Sequence, residues 1–158
     1  MIAAINGPAL GAGLGLAASC DILLCSENAS LGLPEVDVGL MGGGRHTMRL
    51  CGHSLTRRMM LTGYRVPGPE LYRRGIVEAC TKPEELMPAA MDMARTIAAK
   101  SPIATRMAKH AASTIEFMTL RDGYRFEQNL TVELGKTDDS KEAMAAFIEK
   151  RAPDFKGR

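Results

Sequence analysis

Apolar residues form short continuous runs in the first half of this chain and follow helical spacing in the second half. The runs Ile2–Ile5 and Asp21–Cys25 predict buried strands, each bounded by turn residues. The segment Ala29–Leu33 predicts a third extended piece, which ends at Pro34, and Ile76–Cys80 predicts a fourth strand. Strands therefore come early and helices late, which predicts an α/β protein.

Beyond residue 80 the pattern predicts only helices. Apolar residues spaced for one helix face predict a helix to about Ala99. Ser101 followed by Pro102 is a capping residue before a proline at the first helical position. Further helices are predicted over residues 120–134 and from Asp139 onward. We therefore divide the chain into a strand-containing part, residues 1–80, and a helical part, residues 81–158.

A glycine cluster at Gly11, Gly13 and Gly15 separates the first strand from a helix of small residues. Glycines allow a sharp bend and a close approach to the backbone, and the first N–H groups of a helix lack partners. Three interpretations remain open: a phosphate site, a packing turn, or a site for an oxygen that becomes negative during a reaction. The dinucleotide fingerprint fits poorly, because position 16 is Leu where its third glycine would stand.

Composition narrows the class of protein. The 158 residues are 46% hydrophobic, which suffices for a core, and 24% charged with a net charge of +2, which makes no strong case for a nucleic-acid or membrane partner. Four cysteines lie in or beside apolar segments without zinc-ligand spacing. We expect no metal site, and we expect buried thiols in a reducing cytoplasm.

Several motifs together carry a family resemblance. They are IAAINGPALGAG, LAASCDI, LGLPEVDVGL, MLTGY and the ending FIEKRAPDFK, in that order along the whole chain. The chain resembles the crotonase (enoyl-CoA hydratase/isomerase) family. The resemblance implies the C-terminal portion of a ClpP-like spiral ββα core over residues 1–80, without the N-terminal part of the usual domain. A C-terminal helical trimerisation region would follow over residues 81–158, in a homotrimer or a dimer of trimers.

The resemblance also implies an activity. Members of this family act on acyl-CoA thioesters through an enolate held in an oxyanion hole, in fatty acid metabolism and β-oxidation, with no cofactor beyond the CoA of the substrate. By motif position, the Ala12 amide is one oxyanion donor and Glu35 is the acid/base group; the second donor belongs to the part before this chain. The resemblance assigns further substrate-binding positions to Gly11, Leu33, Pro34 and Gly43.

This sequence departs from the hydratase pattern in the same region. Hydratases of the family use two glutamates, and at the second position this chain has Gly15. A single-glutamate enoyl-CoA isomerase and a catalytically inactive CoA-binding paralogue therefore stay open as alternatives. Asp37 is a candidate substitute for the absent carboxylate, although a solvent-facing or capping role is the simpler expectation. His46 is a second candidate base, for which a structural role is again the simpler expectation.

The chain ends in a basic segment that contains Lys150, Arg151 and Lys156. By the same resemblance, this segment could meet the phosphates of a CoA bound to a neighbouring subunit. A solvated tail is an equal alternative.

Overall fold

A computed structural model describes all residues from 1 to 158, and it contains six strands, eight α-helices and one 3₁₀ turn, Pro34–Val38. The strands are β1 Ile2–Ile5, β2 Pro8–Leu10, β3 Ile22–Ser26, β4 Ser30–Gly32, β5 Arg65–Pro67 and β6 Ala79–Thr81. The helices are α1 Ala12–Ala18, α2 Gly44–Cys51, α3 His53–Thr62, α4 Gly68–Arg73, α5 Pro83–Ala98, α6 Pro102–Ile115, α7 Leu120–Gly135 and α8 Asp138–Glu149. The predicted α/β class is confirmed.

The first sheet is parallel throughout, with strand order β1-β3-β6. Ile2 pairs with Ile22 and Ile5 with Cys25. Strands of parallel sheets have continuous apolar sequences, which made β1 and β3 predictable, although β1 is only half-buried except at Ile5. The predicted strand Ile76–Cys80 is only partly correct, because pairing with β3 begins at Ala79.

The second sheet has strand order β2-β4-β5, in which β2 and β4 are parallel and β4 and β5 antiparallel. Its edge strands were not predicted. Each has three residues and contains a proline, at Pro8 and Pro67, a residue that sheets accept at their edges. In the end row of this sheet, Gly32 on the central strand pairs with Leu10 on one side and with Arg65 on the other.

Apolar side chains beneath the two sheets form the core of the strand-containing part. Leu14, Leu31, Leu33, Met59 and Leu71 are almost completely buried. Each such side chain contributes about 1.5–3 kcal/mol relative to an exposed one. Leu14 comes from α1 and Leu33 precedes the 3₁₀ turn. Because both side chains pack in the same core, this core holds α1 and the 3₁₀ turn in place.

All four cysteines are free thiols, of which Cys25 is buried and the others are half-buried. Burial raises the pKa of the Cys25 thiol to about 12, with a further contribution from the neighbouring Cys80 thiol. Burial likewise raises the pKa of Cys51 to about 11, against the opposing charge of Arg74. These thiols stay protonated at neutral pH. No three side chains of the types that bind metals lie together, and no helix combines the length and apolar character needed to cross a bilayer.

The chain divides into two compact units, residues 1–94 and residues 95–158. The first contains both sheets. In the second, the predicted cap at Ser101 is confirmed, because its hydroxyl accepts a hydrogen bond from the Ala104 amide. Helix α8 begins at Asp138, one residue before the predicted start, and is capped by Thr137, so Asp139 lies inside the first turn. The predicted division after residue 80 stays a prediction.

The Asp139 carboxylate is the polar centre of the second unit. It is only 2% exposed and accepts hydrogen bonds from the Ser101 hydroxyl at 2.6 Å and from the amides of Lys156 at 2.8 Å and Gly157 at 3.0 Å. The Asp139 amide donates to the Arg158 carbonyl at 3.0 Å. One carboxylate thus holds the C-terminal residues against the starts of α6 and α8.

The basic C-terminal side chains are largely paired within the same unit. Arg151 forms ion pairs with Glu142 and Glu149, each at 2.5 Å, and Lys156 with Asp154 at 2.6 Å. The Arg151 hydrogen bonds lower the pKa of Glu142 to about 2.

Candidate functional site

An open cleft of about 380 Å³ lies where β2, the 3₁₀ turn and β5 meet. Its walls combine apolar residues with two acids and one arginine. The lining residues are Leu10, Gly11, Pro34, Glu35, Asp37, Val38 and Arg65. Three of the positions that the sequence assigned to a site, Gly11, Pro34 and Glu35, therefore come together in one cavity.

The turn between β2 and α1 forms one wall of the cleft. Gly11 has φ +54°, in the left-handed region that favours glycine, and its amide donates to the Gly32 carbonyl at 3.0 Å. The helix begins at the next residue, and the Ala12 N–H donates to no other group of the chain. The turn therefore leaves one free backbone donor directly after Gly11.

Glu35 lines the cleft next to this turn. Glu35 is the second residue of the 3₁₀ turn, which starts at Pro34 and directly follows the buried residue Leu33. A Cβ atom added at Gly11 would lie 2.5 Å from Glu35 Oε1, so a larger residue at position 11 would displace this carboxyl group. The other oxygen, Oε2, is buried without a hydrogen-bond partner. A half-buried carboxyl group with a free oxygen can accept and return a proton.

Asp37 lines the same cleft from two residues further along the 3₁₀ turn. Its two carboxylate oxygens each lie 2.8 Å from the position of a Cβ at Gly63, beyond the end of α3. The residue is exposed, and it still lines the cleft with Glu35. The cleft therefore carries two carboxylates, neither of them at residue 15.

Leu33 and Gly43 lie together, but not in this cleft. A Cβ at Gly43 would be 2.7 Å from Leu33 Cδ2, and Gly43 has φ +69° at the start of α2. Leu33 is 1% exposed and belongs to the core. Their contact joins the start of α2 to the residue before the 3₁₀ turn. The assignment of Leu33 and Gly43 to substrate binding stays a prediction.

Two further candidates lie outside the cleft lining. Gly15 is one turn into α1, and a Cβ there would meet no atom within 4 Å. There is accordingly space for a larger side chain at the position where hydratases of the resembling family have glutamate. His46 is exposed on α2 and does not line the cleft.

Sequence reasoning missed Arg65. It lies on β5, a strand that was not predicted, and its row partner across the sheet is Gly32. No motif marks it, because a single arginine between Tyr64 and Val66 resembles any surface residue. Only the pairing of β4 with β5 brings its side chain to the cleft.

A carboxyl group next to a turn that ends in a free backbone amide is an arrangement suited to enolate chemistry at a carbonyl group. The sequence model described as Enoyl-CoA hydratase/isomerase matches residues 1–158. The chain belongs to this family, as the sequence resemblance predicted.

Named relatives agree with that membership. The chain is 38% identical to the 2,3-dehydroadipyl-CoA hydratase of Escherichia coli, over 100% of this chain and 63% of that protein. It is 37% identical to the short-chain-enoyl-CoA hydratase of Clostridium acetobutylicum, over 100% of this chain and 62% of that protein. The chain thus spans somewhat less than two thirds of the relatives it matches.

Solved structures give the same result for the fold. An enoyl-CoA hydratase from Bacillus anthracis matches with a TM-score of 0.95 and 37% identity, over 99% of this chain and 62% of that one. An enoyl-CoA hydratase subunit from Geobacillus kaustophilus matches with a TM-score of 0.93 and 39% identity, over 100% of this chain and 63% of that one. The expected crotonase-type fold, present over part of its usual length, is confirmed.

Proposed function

We propose that this chain supplies the acid/base carboxyl group and one oxyanion donor of an enzyme that acts on enoyl-CoA thioesters. The observation that carries the proposal is the position of Glu35 Oε1 against Gly11, directly before the free amide of Ala12. In this proposal the thioester oxygen accepts a hydrogen bond from the Ala12 N–H while Glu35 moves a proton at the carbons beside the carbonyl. An oriented donor of this kind contributes about 10²–10³ in rate.

Two reactions are compatible with a single carboxyl group at position 35. In hydration, a water adds across the double bond, and the family's hydratases orient it with a second glutamate. In isomerisation, one carboxyl group removes a proton from the carbon next to the thioester and returns it two carbons along. Because residue 15 is glycine with empty space around it, isomerisation is our second candidate function. An inactive paralogue that binds CoA thioesters without turnover is the third.

An assay with two substrates distinguishes these functions. Loss of the ultraviolet absorbance of crotonyl-CoA reports hydration, and conversion of a 3-enoyl-CoA to the conjugated isomer reports isomerisation. Hydration of crotonyl-CoA would support the hydratase reaction, and isomerisation without hydration would support the single-glutamate isomerase. Binding of a saturated acyl-CoA without turnover of either substrate would support the inactive paralogue, and absence of binding would contradict the proposal.

The variant Gly15→Glu sharpens the same assay. It adds the carboxyl group where the structure has open space, so we expect hydration to rise relative to isomerisation. The matched control is Gly15→Ala, which fills the position without a charge. Equal ratios of hydration to isomerisation in both variants would show that residue 15 does not select the reaction.

The proposal also covers the oligomeric state, the cellular location and the pathway of the enzyme. Large apolar side chains on α8 are exposed, including Phe147 at 85% and Ile148 at 72%, which supports self-association as a homotrimer or a dimer of trimers. We propose that the enzyme takes part in β-oxidation of fatty acids in the cytoplasm and uses no cofactor beyond the CoA of its substrate. Sedimentation of the purified protein tests the assembly.

A further inference from the structure

We infer that Arg65 binds an anionic group of the ligand in the cleft, and that it thereby selects thioesters that present a negative charge at this point. The inference rests on the proposed function, because it names the ligand chemistry of the same cleft. It assigns a recognition role to a residue that no sequence motif marks.

Strand pairing in the second sheet positions the side chain of Arg65 at the cleft. Leu10, Gly32 and Arg65 occupy one row across β2, β4 and β5, and neighbouring strands lie about 4.8 Å apart. The Arg65 Cγ lies 3.1 Å from where a Cβ would stand at Gly32. The arginine stem therefore lies over the central glycine, and the side chain lines the cleft together with Leu10 and Gly11. A side chain at residue 32 would block this path.

The guanidinium group of Arg65 has no protein partner. It forms no ion pair with Glu35 or Asp37, although all three line the cleft. Those two carboxylates lie against Gly11 and Gly63 respectively. By contrast, Arg73 and Arg74 both pair with Glu70, at 2.6 and 2.5 Å.

A free guanidinium at a cleft is suited to one class of ligand group. Its planar fork of N–H donors matches the two oxygens of a carboxylate or the oxygens of a phosphate. In an enoyl-CoA thioester, such a group has two sources. It can be a carboxylate at the far end of the acyl group, or a phosphate of the CoA itself.

Calorimetric titration with three thioesters separates these sources. Butyryl-CoA carries phosphates only, adipyl-CoA adds a carboxylate at the acyl end, and S-butyrylpantetheine carries neither. The test variant is Arg65→Met, which keeps the stem over Gly32 and removes the charge. Arg65→Gln is a second variant in case the first does not fold. Arg57→Met, an exposed arginine of α3 outside the cleft, is the matched control.

Two results support the inference. If the Arg65 variants lose about 10- to 100-fold in affinity for adipyl-CoA alone, the acyl carboxylate is the group bound. If they lose equally for both CoA thioesters and S-butyrylpantetheine binds unchanged, the group bound is a phosphate. The control variant should bind all three ligands as the unmodified chain does.

Two results overturn the inference. One is unchanged affinity for all three ligands in the Arg65 variants, and the other is an equal loss for S-butyrylpantetheine. In both cases the proposed function stands, since thioesters still bind to the unmodified chain. If the unmodified chain binds none of the three, the proposed function and this inference fail together.

Discussion

The two units of this protein treat a carboxyl group in opposite ways. Asp139, in the helical unit, is buried with three hydrogen bonds from a hydroxyl and two backbone amides. Glu35, in the strand-containing unit, has one oxygen against a glycine and one buried without a partner. A fully satisfied carboxylate stabilises the native structure, whereas an unsatisfied one at a cleft retains capacity to exchange a proton. The difference distinguishes Asp139, which has a structural role, from Glu35, to which we assign a role in proton transfer.

The substitution Glu35→Gln tests the chemical half of this comparison and should have the largest effect. The amide keeps the shape of the side chain but cannot accept and return a proton, so turnover of either enoyl-CoA substrate should fall by about 10²–10⁴-fold. The melting temperature should change little. Glu27→Gln, at an exposed position after β3, is the control and should retain activity. Full turnover in the Glu35→Gln variant would remove this residue from the mechanism.

Gly11→Ala should give the next largest effect, since it displaces the same carboxyl group without removing it. The added Cβ would meet Glu35 Oε1 at 2.5 Å, and alanine is disfavoured at φ +54°. A displacement of about 1 Å costs about 10²-fold in rate, which steady-state kinetics would detect. Gly15→Ala serves as the control, because a Cβ there meets no atom. Equal activity of the two variants would contradict the proposed placement of Glu35.

Ser101→Ala tests the structural half of the comparison. The hydroxyl group caps α6 and donates to Asp139, so its loss should lower the free energy of unfolding by about 1–2 kcal/mol. Chemical denaturation measures this change, and the ratio of the two enoyl-CoA activities should not move. Ser54→Ala, at an exposed site that caps no helix, should change the stability by less than about 0.5 kcal/mol. A similar loss in both variants would mean that the Asp139 network adds no stability.

The last prediction concerns how the pH changes the stability of residues 156–158. The effect is the smallest of the four near neutral pH and becomes clear in acid. Burial raises the pKa of Asp139, but the hydrogen bonds from Ser101 and the tail amides outweigh it and hold the pKa below its usual range. The stabilisation is therefore complete above the unfolded pKa of about 3.9 and is lost as the pH falls through the lower folded value. The protection of the Gly157 amide against exchange, measured by NMR relative to the intrinsic rate at each pH, should fall in that range. In Asp139→Asn this fall should be absent, because the amide is already poorly protected at neutral pH.

The sequence predicted the parts of the site that local motifs encode. The glycine cluster and the Pro34-Glu35 pair lie in recognisable segments; the first contains the core residue Leu14, and the second directly follows the core residue Leu33. Their proximity is a tertiary fact. It depends on the pairing of β2 with β4, and β2 is too short and too rich in turn residues to be predicted.

The sequence could not predict the burial of Asp139 or the role of Arg65. An aspartate near a predicted helix start is typically an exposed cap, and here Asp139 is buried because the last residues of the chain return to it. Arg65 depends on β5, a strand with a single buried apolar residue, Val66. A three-residue edge strand has too little alternation to be recognised.

The return of residues 156–158 to Asp139 makes the heat resistance of the helical unit depend on these three residues. Their proteolytic removal would take away two of the amide donors to that side chain, at Lys156 and Gly157. The cleaved protein would be distinguished by its lower heat resistance, while its ligand cavity stayed unaltered.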